Sequence, residues 1–230
     1  YEQRMRRKLD DLIARVFGAP FGRPFSPPFG PRLRTGTRLL IYDEFTDTDG
    51  TLVTNHTISP TNAPGASWAT LDNSCTITGN KAYGTTAGSS LKTNVVDAGV
   101  ANCIIEADIN SGNTADSYVY NYLLFRTTDI NNRWQAGFSR YDGLWMLQER
   151  TSSTSTTRDS EAYTWAANKN YHFKVTLSGN DILFEVTGDA TVSLSYSSSV
   201  RATVTKHGIR LFTGGTATVL STADNFSIIG

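Results

Sequence analysis

Most of the chain alternates between apolar and polar residues in short runs, which predicts β-strands. Turn signals such as Asp49-Gly50, Asp142-Gly143 and Ser178-Gly179-Asn180 separate the runs. The clearest hairpin joins 171–178 to 181–187. Ten strands are predicted, at 39–46, 74–79, 102–109, 118–127, 132–139, 143–150, 171–178, 181–187, 206–213 and 218–229. This pattern predicts an all-β fold for 39–230, a two-sheet antiparallel jelly-roll β-sandwich.

A helical pattern occupies residues 1–17. Gly18 and Pro20 mark its end. Two heptads are too short for a stable isolated coiled coil, so the apolar stripe must be buried against something else. It either packs on its own domain or forms a docking helix or a short oligomeric bundle, and we expect the second. The stripe consists of Met5, Leu9, Leu12, Ile13, Val16 and Phe17.

Residues 18–38 form a different segment, rich in proline, phenylalanine and arginine. Five of the seven prolines lie here, which predicts an extended, polyproline-like arm. Phe21, Phe25 and Phe29 recur every four residues, each after a proline. A plain linker would not need them, so we interpret them, with the helical stripe, as anchor residues that contact another protein or subunit.

Charge separates the same two regions. The 230 residues carry 21 basic and 21 acidic side chains. Residues 1–38 hold nine basic and three acidic groups, hence +6, which leaves −6 for 39–230. The basic residues share their segment with apolar anchors, so we expect a protein partner rather than nucleic acid. No apolar run reaches the length of about 18 residues that a spanning helix needs, so no membrane partner is expected.

The two cysteines, Cys75 and Cys103, lie in different predicted strands. They either form a disulfide or remain buried free thiols, and metal binding by this pair is disfavoured. The first residue is Tyr1 rather than methionine, so we expect a processed chain or a start further upstream.

A set of short segments spread over residues 40–230 carries a resemblance to a known family. They are YDEF at 42–45, Asp49-Gly50, Trp68, LFRTTDINNRW at 124–134, YHFKV at 171–175 with Ser178-Gly179-Asn180, KHGIR at 206–210 and ADNF at 223–226. With these segments the chain resembles the concanavalin A-like lectin/glucanase, or laminin G-like, jelly rolls found in bacteriophage virion and tail proteins and in bacterial surface proteins. The fold that this resemblance implies hosts lectins, glycosidases, adhesion modules and structural domains, so it does not specify an activity.

The resemblance also implies that the first and last strands are neighbours, which would bring Asp43 near Asp224. Some members of the family hold calcium at such a place. The alternative is that these side chains bond to strand ends and turns, and we expect this alternative and no cofactor. The string around Asp49-Gly50 is not an EF-hand loop, because the first loop position would be Phe45.

One strand carries half of a glycosidase pattern. Glu106 and Asp108 are two residues apart and project from the same face. Related glucanases have a further glutamate, where this chain has Asn110 or Ser111. We therefore expect solvated carboxylates and no enzymatic activity.

Carbohydrate binding is the remaining candidate chemistry. Sugar sites combine an aromatic ring with carboxylate and amide groups. Trp134, Tyr141, Asp129 and Asn132 are close in sequence and form the candidate glycan site. The alternative is that the aromatic rings fill the core, which we expect for Trp145 and Trp68. Tyr118, Tyr120 and Tyr122 share one face of a strand, and the Ser/Thr run 151–157 is predicted to be a polar loop.

These patterns together lead to one main hypothesis. The chain is a non-enzymatic bacteriophage virion structural protein, such as a capsid decoration, fibre or tail appendage protein. Residues 1–38 anchor it, a trimer is favoured, and the jelly roll is displayed on the virion surface with weak binding to host glycans. The alternative is a secreted bacterial carbohydrate-binding or adhesion module at the cell surface, which a Cys75–Cys103 disulfide would favour.

Overall fold

The computed structural model describes residues 38–58, 62–63, 65–84, 91–114, 118–214 and 217–230. The predicted helix at 1–17 and, apart from Arg38, the predicted arm at 18–38 lie outside this range. The anchor residues in both segments therefore remain predictions.

The described residues form seventeen strands and one turn of 3-10 helix, Val53–Asn55, and they contain no α-helix. The strands are β1 (Leu39–Asp43), β2 (Ala69–Thr70), β3 (Thr76–Ile77), β4 (Ala82–Tyr83), β5 (Lys92–Asp97), β6 (Ile104–Asn110), β7 (Asn113–Thr114), β8 (Val119–Asp129), β9 (Asn132–Ser139), β10 (Leu144–Thr151), β11 (Thr154–Ala162), β12 (Asn170–Ser178), β13 (Asp181–Gly188), β14 (Val192–Ser197), β15 (Lys206–Thr213), β16 (Ala217–Val219) and β17 (Thr222–Ile229).

Two antiparallel sheets form the sandwich. The eight-stranded sheet has the order β14-β13-β12-β6-β17-β4-β3, with β1 also paired to β17. The seven-stranded sheet has the order β11-β10-β9-β8-β15-β5-β2, and β16 pairs with β7 apart from both. The predicted all-β jelly-roll sandwich is confirmed, and so is the adjacency of the first and last strands, where Asp43 is opposite Phe226.

The core lies between the sheets and is rich in aromatic side chains. Phe138 and Trp145 of the seven-stranded sheet meet Tyr171 and Phe173 of the eight-stranded sheet, with ring centroids 5.1–6.2 Å apart. Such edge-to-face contacts add to the free energy gained by burying the rings. Trp68 and Trp145 are buried in this core, as predicted.

Where the strands differ from the prediction, the side-chain pattern explains why. Part of the predicted polar loop 151–157 belongs to β11, an edge strand whose side chains are almost all exposed, so it shows no apolar alternation. β5 was missed because its buried residues include Thr93 and Asn94. The predicted strand 218–229 is two strands, β16 and β17.

Both cysteines are buried free thiols, which excludes the disulfide alternative in this structure. Burial raises the pKa of each thiol to about 12. Within the described ranges, no helix has the length and apolar character to cross a membrane.

Candidate functional site

The predicted glycan residue Trp134 belongs to the core. Its side chain is fully buried, and its ring packs against Phe125 and Tyr196 at centroid distances of 6.4 and 5.9 Å. The indole Nε1 donates a hydrogen bond to the backbone oxygen of Val200 at 3.1 Å. A sugar cannot stack on this ring, so the expectation for Trp134 is corrected. In β9 the residue falls on the inward-facing side of the sheet.

Asp129 and Asn132 close the β8–β9 turn. Asn132 Nδ2 lies 3.1 and 3.0 Å from the two carboxylate oxygens of Asp129, which also accept the backbone N–H of Asn131. These hydrogen bonds lower the pKa of Asp129. Tyr141 lies in the β9–β10 turn, at the opposite end of β9. The four predicted residues therefore do not form one site.

Asp43, the predicted calcium alternative, is buried in a hydrogen-bonded cluster. Its Oδ1 accepts the backbone N–H of Phe45 at 2.7 Å and lies 3.0 Å from His56 Nε2, and its Oδ2 accepts Trp68 Nε1–H at 2.7 Å. His56 Nδ1 lies 3.1 Å from Asp47 Oδ2. Because carboxylates only accept, both histidine bonds form together when the ring carries two N–H groups. We call Asp43, Asp47, His56 and Trp68 the Asp43 cluster.

The Asp43 cluster does not fit a cation. Protein donors already occupy both oxygens of Asp43, and Phe45 adopts a positive φ of 50° that the Asp43 bond holds in place. Asp224, the other residue of the calcium alternative, lies on β17 opposite Asp108. In the described part of the chain, no group of three or more His, Cys, Asp or Glu side chains is arranged to hold a metal ion.

The outer face of the eight-stranded sheet is acidic. Its cleft of about 440 Å³ is bordered by Asp108, His172, Asp224 and Asn225. His172 Nδ1 lies 2.8 Å from Asp108 Oδ1, and Asn225 Nδ2 donates to Asp108 Oδ2 at 2.8 Å. Burial, with Asp108 and Glu44 nearby, raises the pKa of Asp224. We call the outer face of the eight-stranded sheet around Asp108 and Asp224 the acidic face. Its carboxylates accept hydrogen bonds from other groups of the same chain.

The outer face of the seven-stranded sheet forms a groove of about 420 Å³. Two glycines shape its floor. Gly137 of β9 is opposite Tyr122 and Met146, and Gly208 of β15 is opposite Leu124 and Val95. A Cβ atom at either glycine would overlap a backbone oxygen of the neighbouring strand. The large neighbours are buried and form a second apolar cluster outside the sandwich core: Val95, Tyr122, Leu124 and Met146.

Amide and guanidinium groups line the walls of this groove. Gln135 links them: its Oε1 accepts both Arg133 Nε–H at 3.0 Å and Arg210 Nη1–H at 3.1 Å. Its Nε2 donates to Gln148 Oε1 at 2.7 Å. We use the name sheet groove for the cavity-lining residues Leu91, Tyr120, Tyr122, Gln135, Asp142, Gln148, Ser155 and Arg210, together with the adjoining Arg133 and Arg150.

The surroundings in the sheet groove disfavour the charged forms of its arginine and tyrosine side chains. Burial, followed by repulsion from Arg210 and Arg150, lowers the pKa of Arg133 to about 9. Burial lowers the pKa of Arg210 to about 10, and burial raises the pKa of Tyr120 to about 12. The three arginines are therefore close enough to repel one another in a partly dehydrated site.

Tyr141 lies at the rim of the sheet groove, beside Asp142. Its ring stacks on Tyr118 at a centroid distance of 5.1 Å and an interplanar angle of 11°. Both rings are largely exposed, at 59% and 46%. Of the four predicted glycan residues, Tyr141 adjoins the cavity itself, and Asp129 lies near enough to Arg133 to interact with its charge. The predicted tyrosine stripe leads to the same place, because Tyr120 and Tyr122 line the cavity.

Sequence comparisons give no family, since no family model and no curated protein matches the chain. Solved structures share its architecture. The carbohydrate-binding module CBM66 from Bacillus subtilis has a TM-score of 0.52 and 16% identity, over 71% of this chain and 95% of that one. The fold is that of the concanavalin A-like jelly rolls.

Two further solved structures extend this similarity. The winged bean acidic lectin, in complex with methyl-α-D-galactose, has a TM-score of 0.52 and 8% identity, over 84% of this chain and 98% of that one. The Bacteroides ovatus xyloglucan PUL protein GH43B has a TM-score of 0.51 and 13% identity, over 86% of this chain but 41% of that one. At these identities the likeness establishes the fold alone.

Proposed function

We propose that the jelly roll is a non-enzymatic glycan-binding domain and that the sheet groove is its binding site. The observation that carries this proposal is a polar groove that has an apolar floor and an exposed tyrosine pair at its rim. Sugars suit such a surface, because ring faces pack on aromatic side chains while hydroxyl groups bond to amides and guanidinium groups. Carbohydrate-binding modules and lectins that share the fold support this choice.

Binding is favoured over hydrolysis by the placement of the acids. A glycosidase needs two carboxyl groups facing each other across a cleft. Glu106 and Asp108 project from neighbouring positions of β6 on the acidic face, and His172 lies within ion-pair distance of both. The sheet groove has one carboxylate among its lining residues, Asp142, which accepts a hydrogen bond from Ser139 Oγ.

A glycan array probed with the full chain tests the binding proposal. Changing Tyr141 to alanine is expected to weaken binding of the best glycan about tenfold, because truncating an aromatic anchor costs about 1–2 kcal/mol. The matched control is Tyr42→Ala, since Tyr42 OH bonds to Glu44 on the acidic face. Loss of binding in the control but not in Tyr141→Ala would show that the glycan binds the eight-stranded sheet, and it would contradict the sheet groove as the site.

We propose further that the whole chain is a virion structural protein, anchored by residues 1–38 and displayed as a trimer. The +6 charge of this segment, its helical stripe and its phenylalanine series support a docking role that the −6 jelly roll does not need. The acidic partner surface that suits the arginines would belong to another virion protein or to a second copy.

Co-sedimentation with virus particles tests the anchoring proposal. A full-length variant with Phe21, Phe25 and Phe29 all changed to serine is expected to stay in the supernatant, and Tyr141→Ala to sediment with the particles. Equal sedimentation of the triple variant would overturn the role of the phenylalanines. Wild-type protein that is found only outside particles would favour the alternative, a secreted bacterial adhesion module. The free cysteines remove the disulfide argument for that alternative.

A further inference from the structure

The arginines of the sheet groove have more N–H donors than neighbouring residues supply acceptors. Arg133 is fully buried, and neither Nη1 nor Nη2 has a partner. Arg210 is 8% exposed and its Nε has no partner, and the Nε of half-buried Arg150 has none either. Native proteins seldom leave buried donors unsatisfied, and those that remain need an explanation.

Charge in the groove is as unbalanced as its hydrogen bonding. Among the described residues, no carboxylate lies within ion-pair distance of Arg133, Arg150 or Arg210. Gln135 Oε1 is a neutral acceptor that two of these guanidinium groups share. Burying mutually repelling cations costs free energy, which Asp129 and Asp72 offset only in part by acting on Arg133 and Arg210 from beyond ion-pair distance. A bound anion beside Arg210, the arginine that lines the cavity, would offset this positive charge.

An unpartnered guanidinium is not by itself a site, as Arg126 shows. Arg126 is buried with two unpartnered nitrogens, but it donates to the backbone oxygen of Gly179 and borders neither described cleft. The sheet groove differs in two respects. Three arginines converge there, and Arg210 faces an open volume together with Tyr120 and Gln148.

We propose that the sheet groove binds an acidic glycan and that Arg210 holds the sugar carboxylate, with Arg133 and Arg150 adding positive charge. This inference rests on the proposed function and names its ligand class: a uronic or sialic acid residue within the chain. Guanidinium groups pair with carboxylates through two parallel N–H···O bonds, which amide groups alone cannot supply. The predicted basic arm is a poor occupant, because its charge has the same sign.

A glycan array with acidic and neutral members, followed by titrations of oligogalacturonate and its methyl ester or the best matched acid and ester pair, tests the proposal. The acid is expected to bind at least tenfold more tightly than its ester, and binding should weaken as salt rises. Arg210→Gln should lose this preference. Arg210→Lys should lose part of it, since lysine keeps the charge without the planar fork. Lys174→Gln, on the other sheet, removes one positive charge as the control.

The outcomes separate this inference from the proposed function. Equal binding of acid and ester, or an array with neutral ligands only, overturns the acidic ligand and leaves glycan binding intact. An array without any ligand overturns both. Equal binding of sulfated glycans or single-stranded oligonucleotides overturns the carboxylate assignment. If Arg210 had only a structural role, Arg210→Gln would lower the unfolding midpoint, whereas removal of an unpaired buried cation should leave it unchanged or raise it.

Discussion

The Asp43 cluster and the sheet groove are both buried and polar, yet they differ in how their polar atoms are partnered. In the Asp43 cluster, Asp43 accepts from a backbone N–H, an indole and a histidine. In the sheet groove, nitrogens of Arg133, Arg150 and Arg210 lack any acceptor. The first arrangement stabilises the fold by itself, and we propose that a bound ligand completes the second. Arg126 is unpartnered as well, so missing partners point to function only where several such groups converge beside an open volume, as they do in the sheet groove.

The largest effect on stability is expected from breaking the Asp43 cluster. Asp43→Ala leaves the Phe45 N–H, Trp68 Nε1–H and His56 without their acceptor, and should lower the free energy of unfolding by about 3–5 kcal/mol. Urea denaturation measures this change. The control Asp181→Ala removes an exposed carboxylate at the start of β13 and should change stability by less than about 0.5 kcal/mol. Similar losses in both variants would show that the cluster is not structural.

His207 provides a pH test of a second partnered polar residue. Its Nε2 donates to the backbone oxygen of Val100 at 2.9 Å, and burial lowers its pKa to about 4. Since the unfolded histidine binds a proton near pH 6.5, acid favours the unfolded chain. Stability should fall by about 3 kcal/mol between pH 6.5 and pH 4 because of this residue.

Urea midpoints from pH 7 to pH 4 measure the contribution of His207. The variant His207→Gln should lose less stability than the wild type over this window. Parallel curves for the wild type and His207→Gln would contradict the assignment of a buried neutral ring.

The shape of the sheet groove depends on its glycine floor. Gly137→Ala would drive a methyl group into the backbone oxygen of Asn121 and should cost about 1–3 kcal/mol of stability. The strands must separate to admit it, so glycan binding should fall as well. Gly179→Ala is the control, because its Cβ meets nothing within 4 Å, although its positive φ of 58° adds a small cost. A full loss of binding with unchanged strand pairing would show that Gly137 contacts the ligand itself.

The smallest effect is expected from calcium. Because protein donors fill both oxygens of Asp43, millimolar calcium or its removal by a chelator should leave the melting temperature unchanged. Differential scanning calorimetry with and without the metal measures this. A rise that Asp43→Asn or Asp224→Asn abolishes would revive the calcium alternative.

Much of the fold could be predicted from local pattern. Phe173, Val175 and Leu177 alternate with polar residues, and each faces the core. Edge strands such as β11 could not, because with both faces near solvent they lose the apolar alternation that marks a strand. The segment 124–134 was correctly predicted to be structured and aromatic. The sequence did not show which way Trp134 points, and its ring lies in the core.

The sheet groove could not be predicted for a different reason. Gln135, Gln148 and Arg210 are brought together by the strand order β10-β9-β8-β15, which no local spacing specifies. Gly137 and Gly208 are isolated glycines inside strand patterns, a signal of close backbone approach that in hindsight marks the floor. Tyr141 and the tyrosine stripe are the predicted residues that led most directly to this surface.

The most direct test is an NMR titration of the isotope-labelled full chain with the tightest acidic glycan from the array. The predicted result is a set of shifted resonances centred on Gln135, Gln148 and Arg210, absent in Arg210→Gln. Shifts centred instead on Asp108, His172 and Asn225 would place the ligand on the acidic face. That result would contradict the sheet groove as the binding site.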